Sequence, residues 1–143
     1  MLTKSGPVEV ARLDHVNIQT SVLEETCAFF EGIIGLKRGF RPEFPFPGAW
    51  LYLGDKPVVH VIGMSDAGAG AAGSGRVNHV GFLATGYTSL LDRVRSAGIA
   101  HEIRDVPGVG QRQVFMKDPN GVSIELAFDA VEVTDGPAEV YRP

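Results

Sequence analysis

Residues 115–128 read FMKDPNGVSIELAF, and the reading of this stretch decides the fold. The tetrapeptide DPNG, residues 118–121, is a turn signal: proline presets φ, and asparagine and glycine tolerate the conformations that a tight reversal needs. Apolar and β-branched residues flank it on both sides, so QRQVFMKDPNGVSIELAF is expected to form two strands around one turn. The second of these strands carries an acidic residue, Glu125, between apolar neighbours.

Working back from there, IAHEIRDVP reads as a strand and VNHVGFLAT as another. Between them, YTSLLDRVRSAG has a helical period, with Leu90, Leu91 and Val94 inward and Gly98 at its end. The second half is thus β-α-β-β-β. The first half gives the same order: RLDHVNIQT as a strand, and SVLEETCAFFEGIIG as a helix with Ser21 as N-cap and Glu24 three residues on. LKRGF, AWLYLG and VVHVIG follow as strands, with the proline-rich loop RPEFPFPG before the second of them. Between the halves, residues 65–76, SDAGAGAAGSGR, have no apolar period and are expected to be an exposed, mobile linker. The expected organisation is one domain over 12–128, with module one at 12–64, module two at 77–128 and a partly ordered tail at 129–143. The expected class is α+β, two tandem β-α-β-β-β modules forming a cupped mixed sheet.

Aligning the halves places LDHVNI on VNHVGF and AWLYLGDKPVVHVIG on VFMKDPNGVSIELAF. His15 to His60 then spans 45 positions and His79 to Glu125 spans 46. The repeat answers a puzzle in VVHVIG, where one ionisable ring interrupts an apolar run: His60 has equivalents. The four residues His15, His60, His79 and Glu125 occupy two matching pairs of strand positions, each the polar residue on one side of its sheet. Imidazole nitrogens with a carboxylate suit a divalent ion such as Zn, Fe, Mn, Ni or Co. His101 lies outside the pattern and is read as an ordinary hydrogen-bonded core residue.

Composition limits the partners. Hydrophobic residues make up 44% of the chain and charged residues 21%, as in ordinary globular proteins, and the net charge is −4. No basic cluster longer than Lys37-Arg38 is present, so neither nucleic acid nor an anionic membrane is an expected partner, and a small molecule is. The lone Cys27 fits a buried helix position. No signal peptide is read at MLTKSGPVEV, no apolar run is long enough to span a bilayer, and a cytoplasmic location is expected.

The paired modules, the openings LDHVNI and VNHVGF, and the closing FMKDPNGVSIELAF resemble the vicinal oxygen chelate superfamily, over residues 12–128. That superfamily includes glyoxalase I, extradiol dioxygenases, fosfomycin resistance enzymes, methylmalonyl-CoA epimerase and bleomycin resistance proteins. The resemblance implies that His15, His79 and Glu125 bind a metal at the floor of a cup, as the set common to metal-binding members. His60 falls where glyoxalase I has a glutamate, so here an imidazole replaces an anion, and His60 could be a fourth ligand, a proton carrier or a hydrogen-bond donor to substrate. His60 and Glu125 are the expected catalytic pair. The implied function is a metal-dependent enzyme acting on a small substrate through vicinal oxygens, of lyase or isomerase type. The alternatives are an extradiol ring-cleavage dioxygenase and a metal-free drug-binding protein. A homodimer is expected, with the site built within one chain or across two. Around the site, Phe44, Phe46 and Trp50 form either an apolar wall or lid or part of the core, and Asn17 shares the face of His15. Arg112, Gln113 and Lys117 are either solvated surface residues or holders of an anionic group, with Arg112 a candidate for the substrate pocket.

Overall fold

A computed structural model describes residues 7, 10–65, 75, 77–106, 110–129 and 138–143. Most of the linker and of the leader before Val10, residues 107–109 and residues 130–137 lie outside the described residues, and so do the expectations placed on them.

The first module runs β1 (Val16–Thr20), α1 (Leu23–Phe29), β2 (Lys37–Gly39), β3 (Gly48–Leu53) and β4 (Lys56–Gly63). The second runs β5 (Val80–Leu83), α2 (Tyr87–Ser96), β6 (His101–Val106), β7 (Gln111–Lys117) and β8 (Ser123–Asp129), and a short β9 (Val140–Tyr141) follows. Each module makes its own mixed sheet, in the orders β1-β4-β3-β2 and β5-β8-β7-β6-β9, and the first strand of each pairs in parallel with the last hairpin strand. This is the α+β architecture expected from the repeat. The strand β9 was not expected; it adds to the second sheet antiparallel to β6, with Tyr141 opposite His101.

Alternation decides which face of each sheet is covered. Along β7 and β8, Val114, Met116, Ile124 and Leu126 are buried while Gln113, Phe115, Ser123 and Glu125 are half-buried. In β4, Val59 and Val61 are buried and His60 between them is half-buried. The buried faces of both sheets join the helices in a single core, with Phe29 and Phe30 from the first module and Leu90 and Val94 from α2. The opposite faces carry the polar rows.

The first helix departs from expectation at its N-cap and in the form of its last turn, and ends at Gly35 as expected. Ser21 does not cap it; the N-cap position is Val22 with no side-chain cap, and the Thr20 hydroxyl instead accepts a hydrogen bond from the Val22 amide at 2.9 Å. At the other end the helix widens into a π turn over Phe30–Ile34, where the amides of Gly35 and Leu36 both reach the Phe30 carbonyl at 2.9 Å. Gly35, at φ 92°, ends it in the left-handed region.

The DPNG turn also joins the modules. The Asp118 carboxylate accepts from the amides of Asn120 and Val122, both at 2.8 Å, which fixes the turn. Asn120 then reaches into the first module: its side-chain oxygen accepts from the Thr20 hydroxyl at 2.6 Å, and its amide donates to the Thr26 hydroxyl at 3.0 Å.

Candidate functional site

The registers of the two parallel strand pairs are equivalent: Asn17 stands opposite His60 in the first sheet and Gly81 opposite Glu125 in the second. Two residues before Asn17 and Gly81 come His15 and His79, which therefore share their faces. Both histidines stand one residue outside the strands in which they were expected, because the ladders begin at Val16 and Val80. Each sheet thus carries one pair, His15 with His60 and His79 with Glu125, on the side away from the core.

His60 is held between two flat rings. Its centroid lies 3.8 Å from that of His15 with planes 9° apart, and 4.0 Å from that of Trp50 with planes 10° apart. Burial is the main cause of a lowered His60 pKa, the charge of His15 adds to it, and the Pro57 carbonyl and Asp14 oppose it. The ring is therefore neutral at physiological pH. Its Nε2 is buried with no hydrogen-bond partner, so the bond to Pro57 belongs to Nδ1–H and Nε2 keeps its lone pair.

The other two imidazoles are oriented alike. His15 Nδ1 lies 2.8 Å from Asp14 Oδ2, and His79 Nδ1 lies 2.8 Å from Asn78 Oδ1. In His15 the acceptor at Nδ1 places the proton there and leaves Nε2 as the basic nitrogen, whereas in His79 both ring nitrogens face oxygen acceptors, Asn78 Oδ1 and Glu125 Oε1. The hydrogen bond to His15, with Arg12 2.9 Å away, holds Asp14 below the usual carboxylate range. In the second pair, His79 Nε2 lies 3.3 Å from Glu125 Oε1, which also accepts from Gln113 Nε2 at 3.2 Å. The Phe115 ring stands edge-on to His79 at 5.5 Å. Asp14 and Asn78 were missed in the sequence, although LDH and VNH place an oxygen acceptor immediately before each repeated histidine.

The aromatic loop extends the wall begun by Trp50. Phe44 stacks on Phe46 at 5.3 Å and lies 6.4 Å from Trp50, and the Arg41 guanidinium lies over both phenyl rings. Phe44 and Phe46 remain about two-fifths exposed, at 42% and 40%, and so belong to this surface rather than the core. Asn17 lies beside His60 in the parallel ladder.

Arg112 requires correction. It faces the core side of β7 with Val114 and Met116, and its guanidinium makes two hydrogen bonds to Asp105, at 2.6 and 2.9 Å, and one to the Tyr87 hydroxyl at 3.4 Å. It is neither a solvated charge nor on the face of Glu125; Gln113 and Lys117, one face over, are. His101 is buried, with Nδ1 2.9 Å from the Ile99 carbonyl, and Cys27 is buried in α1. Among the described residues no three His, Cys, Asp or Glu side chains are grouped closely enough to hold a metal ion, because the two pairs belong to different sheets. No helix of the described residues is long and apolar enough to cross a membrane.

Duplicated β-α-β-β-β units with a polar pair on the open face of each sheet define a class of proteins built by internal repetition. The chain belongs to the Glyoxalase/Bleomycin resistance protein/Dioxygenase superfamily, which matches residues 12–126. "Glyoxylase I 4" of Arabidopsis thaliana is 25% identical over 144 residues, covering 96% of this chain and 82% of that protein. A glyoxalase/dioxygenase from Nostoc punctiforme shares the fold at TM-score 0.69 and 18% identity, over 90% of this chain and 98% of that one. The fosfomycin resistance protein FosX of Listeria monocytogenes does so at TM-score 0.67 and 14% identity, over 87% and 98%. A mutant of FosX was crystallised with Mn(II) and 1S,2S-dihydroxypropylphosphonic acid.

Proposed function

We propose that the chain is a metal-dependent enzyme, of lyase or isomerase type, that takes a small substrate through two adjacent oxygens. The observation that carries this reading is the equivalence of the two polar pairs, on matching rows of two sheets, with the His60 Nε2 lone pair buried and unpartnered. The residues fit a divalent cation: imidazoles oriented by oxygen acceptors at Nδ1, and a carboxylate beside Nε2 of one of them. His15, His60, His79 and Glu125 would hold the ion, which when bound supplies Lewis-acid polarisation of the two oxygens.

The chain's own groups do the rest. Glu125 takes a proton from the carbon next to a polarised oxygen and returns it to the neighbouring carbon, with Gln113 fixing the orientation of its carboxylate. Trp50, Phe44 and Phe46 offer an apolar wall that excludes water from that transfer. Since the pairs lie on different sheets, each half-site is completed by the complementary half of a second copy, and the functional unit is a homodimer.

The test is metal analysis of protein purified without chelator and after reconstitution with Zn, Fe(II), Mn, Ni and Co, joined to deuterium exchange at the carbon next to the chelated oxygens of α-hydroxycarbonyl compounds. A stoichiometric ion with exchange supports the reading. Ion with ring cleavage of catechols instead supports the dioxygenase alternative, and no ion after reconstitution supports a metal-free binding protein.

A further inference from the structure

A cleft of about 430 Å³ lies at one end of the second sheet, where β6 and β8 start and β7 and β9 end. Its charged lining is Arg104, Lys117 and Arg142 against a single carboxylate, Glu102, in a chain whose net charge is −4. Arg104 is committed to Glu102, with bonds of 2.7 and 3.0 Å, and its guanidinium lies over Phe115. Lys117 and Arg142 are exposed, and neither forms an ion pair among the described residues. The lining thus carries three cations against one carboxylate, with Glu102 under the charge of Arg142 as well as bonded to Arg104.

Its position links it to the His79–Glu125 pair. Lys117 and Ser123 are cross-strand partners, on the same face as Phe115 and Glu125 and two residues from them along β7 and β8. Asn78, which orients His79, also lines the cleft. So does His101, 4% exposed, whose Nε2 is buried with no hydrogen-bond partner while Nδ1 is taken by the Ile99 carbonyl. With Nδ1–H given to the Ile99 carbonyl, Nε2 is an acceptor, so it suits a ligand's hydroxyl, such as the acid proton of a hydrogen phosphate, while the anionic oxygens fall to the cationic side chains.

We propose that this cleft receives the anionic end, a carboxylate or phosphate group, of the substrate whose adjacent oxygens the His/Glu site takes. Lys117 and Arg142 supply the countercharge and the Ser123 hydroxyl a hydrogen bond. The proposal rests on the metal-site reading for which end of the molecule reaches His79; the anion site stands on the cleft alone.

The test uses the full chain, titrated separately with inorganic phosphate and with acetate and followed by amide and histidine-ring NMR shifts. Saturable shifts at Lys117, Ser123, Arg142 and His101 are expected, and the tighter probe identifies the group. Lys117→Gln with Arg142→Gln should weaken binding about tenfold or more, and Lys117→Arg should retain it. Both positions are exposed, and folding of the variants is read from the same spectra. A parallel Zn titration separates the two claims. Anion binding in protein that takes no metal upholds the cleft and fails the metal site. Metal binding with no saturable anion shifts, or shifts unchanged in the double variant, overturns the cleft.

Discussion

The imidazole of His60 lies flat against that of His15, with centroids 3.8 Å apart and planes 9° from parallel. Two charged rings would not stack at that distance, so at least one is neutral, and burial makes it His60. With Trp50 on its other face the ring cannot rotate freely, and its lone pair at Nε2 is presented in a fixed direction. His60 is thereby suited to be a ligand. His60→Ala is predicted to weaken metal binding about tenfold or more, measured by competition with a chelator. Full metal affinity with reduced turnover would make the ring a proton carrier instead.

Asp14 and Asn78 each hold an oxygen 2.8 Å from Nδ1 of the histidine that follows, which fixes the orientation of both rings. Asp14→Ala and Asn78→Ala are each predicted to lower metal affinity by about 10- to 100-fold without removing a ligand, and Asp14→Asn, which keeps an oxygen acceptor, to lower it less. Calorimetric titration measures the difference; equal affinities in Asp14→Ala and wild type would mean that the contact does not orient the ring.

Asn120 connects the modules through Thr20 and Thr26. Asn120→Ala removes one hydrogen bond from each hydroxyl, which keep each other and the Val22 backbone as partners, and is predicted to cost about 1–3 kcal/mol in urea unfolding, with no change in metal stoichiometry. Gly121, at φ 82°, follows it, and Gly121→Ala is predicted to cost about 1–2 kcal/mol through the left-handed backbone alone.

The Asp105–Arg112 pair predicts a pH dependence. The hydrogen bond from Arg112 lowers the Asp105 pKa below its ordinary 3.8, so above that value the folded and unfolded carboxyls are both ionised and the pair contributes fully. As pH falls below 3.8 the unfolded carboxyl takes a proton first, and the contribution is lost progressively toward the lower folded value. Asp105→Asn should therefore lose less stability than wild type between about pH 5 and pH 2. Parallel curves in urea unfolding across that range would contradict the assignment.

What the sequence disclosed follows from period and repetition. The switch between a period of two and a helical period marked the elements, and the register of the halves put His60 and Glu125 on equivalent open faces, because a slip of one residue would have buried them. The same alternation held the answer for Arg112: it shares its face with Val114 and Met116, and a charge in that row must find a partner, here Asp105 across the β6–β7 ladder. Ser21 looked like a cap because the spacing to Glu24 was right, but the competing hydroxyl of Thr20 satisfies the backbone one residue earlier. The reach of Asn120 into the first module and the docking of β9 on β6 depend on contacts far apart in the chain, which local pattern does not encode. For the same reason the sequence left open whether one chain or two bring the four residues together, and one chain holds them as two pairs on separate sheets.

The most direct test of the metal site is the divalent ion content of wild type, His15→Ala, Glu125→Ala and the two variants co-expressed. A site assembled from the first-module pair of one copy and the second-module pair of another predicts one ion per chain in wild type and little in either variant alone. Co-expression should then restore ion to one site of each mixed dimer, where both unaltered halves meet. Wild-type protein that holds no ion after reconstitution, or variants that keep the full complement, would contradict the account.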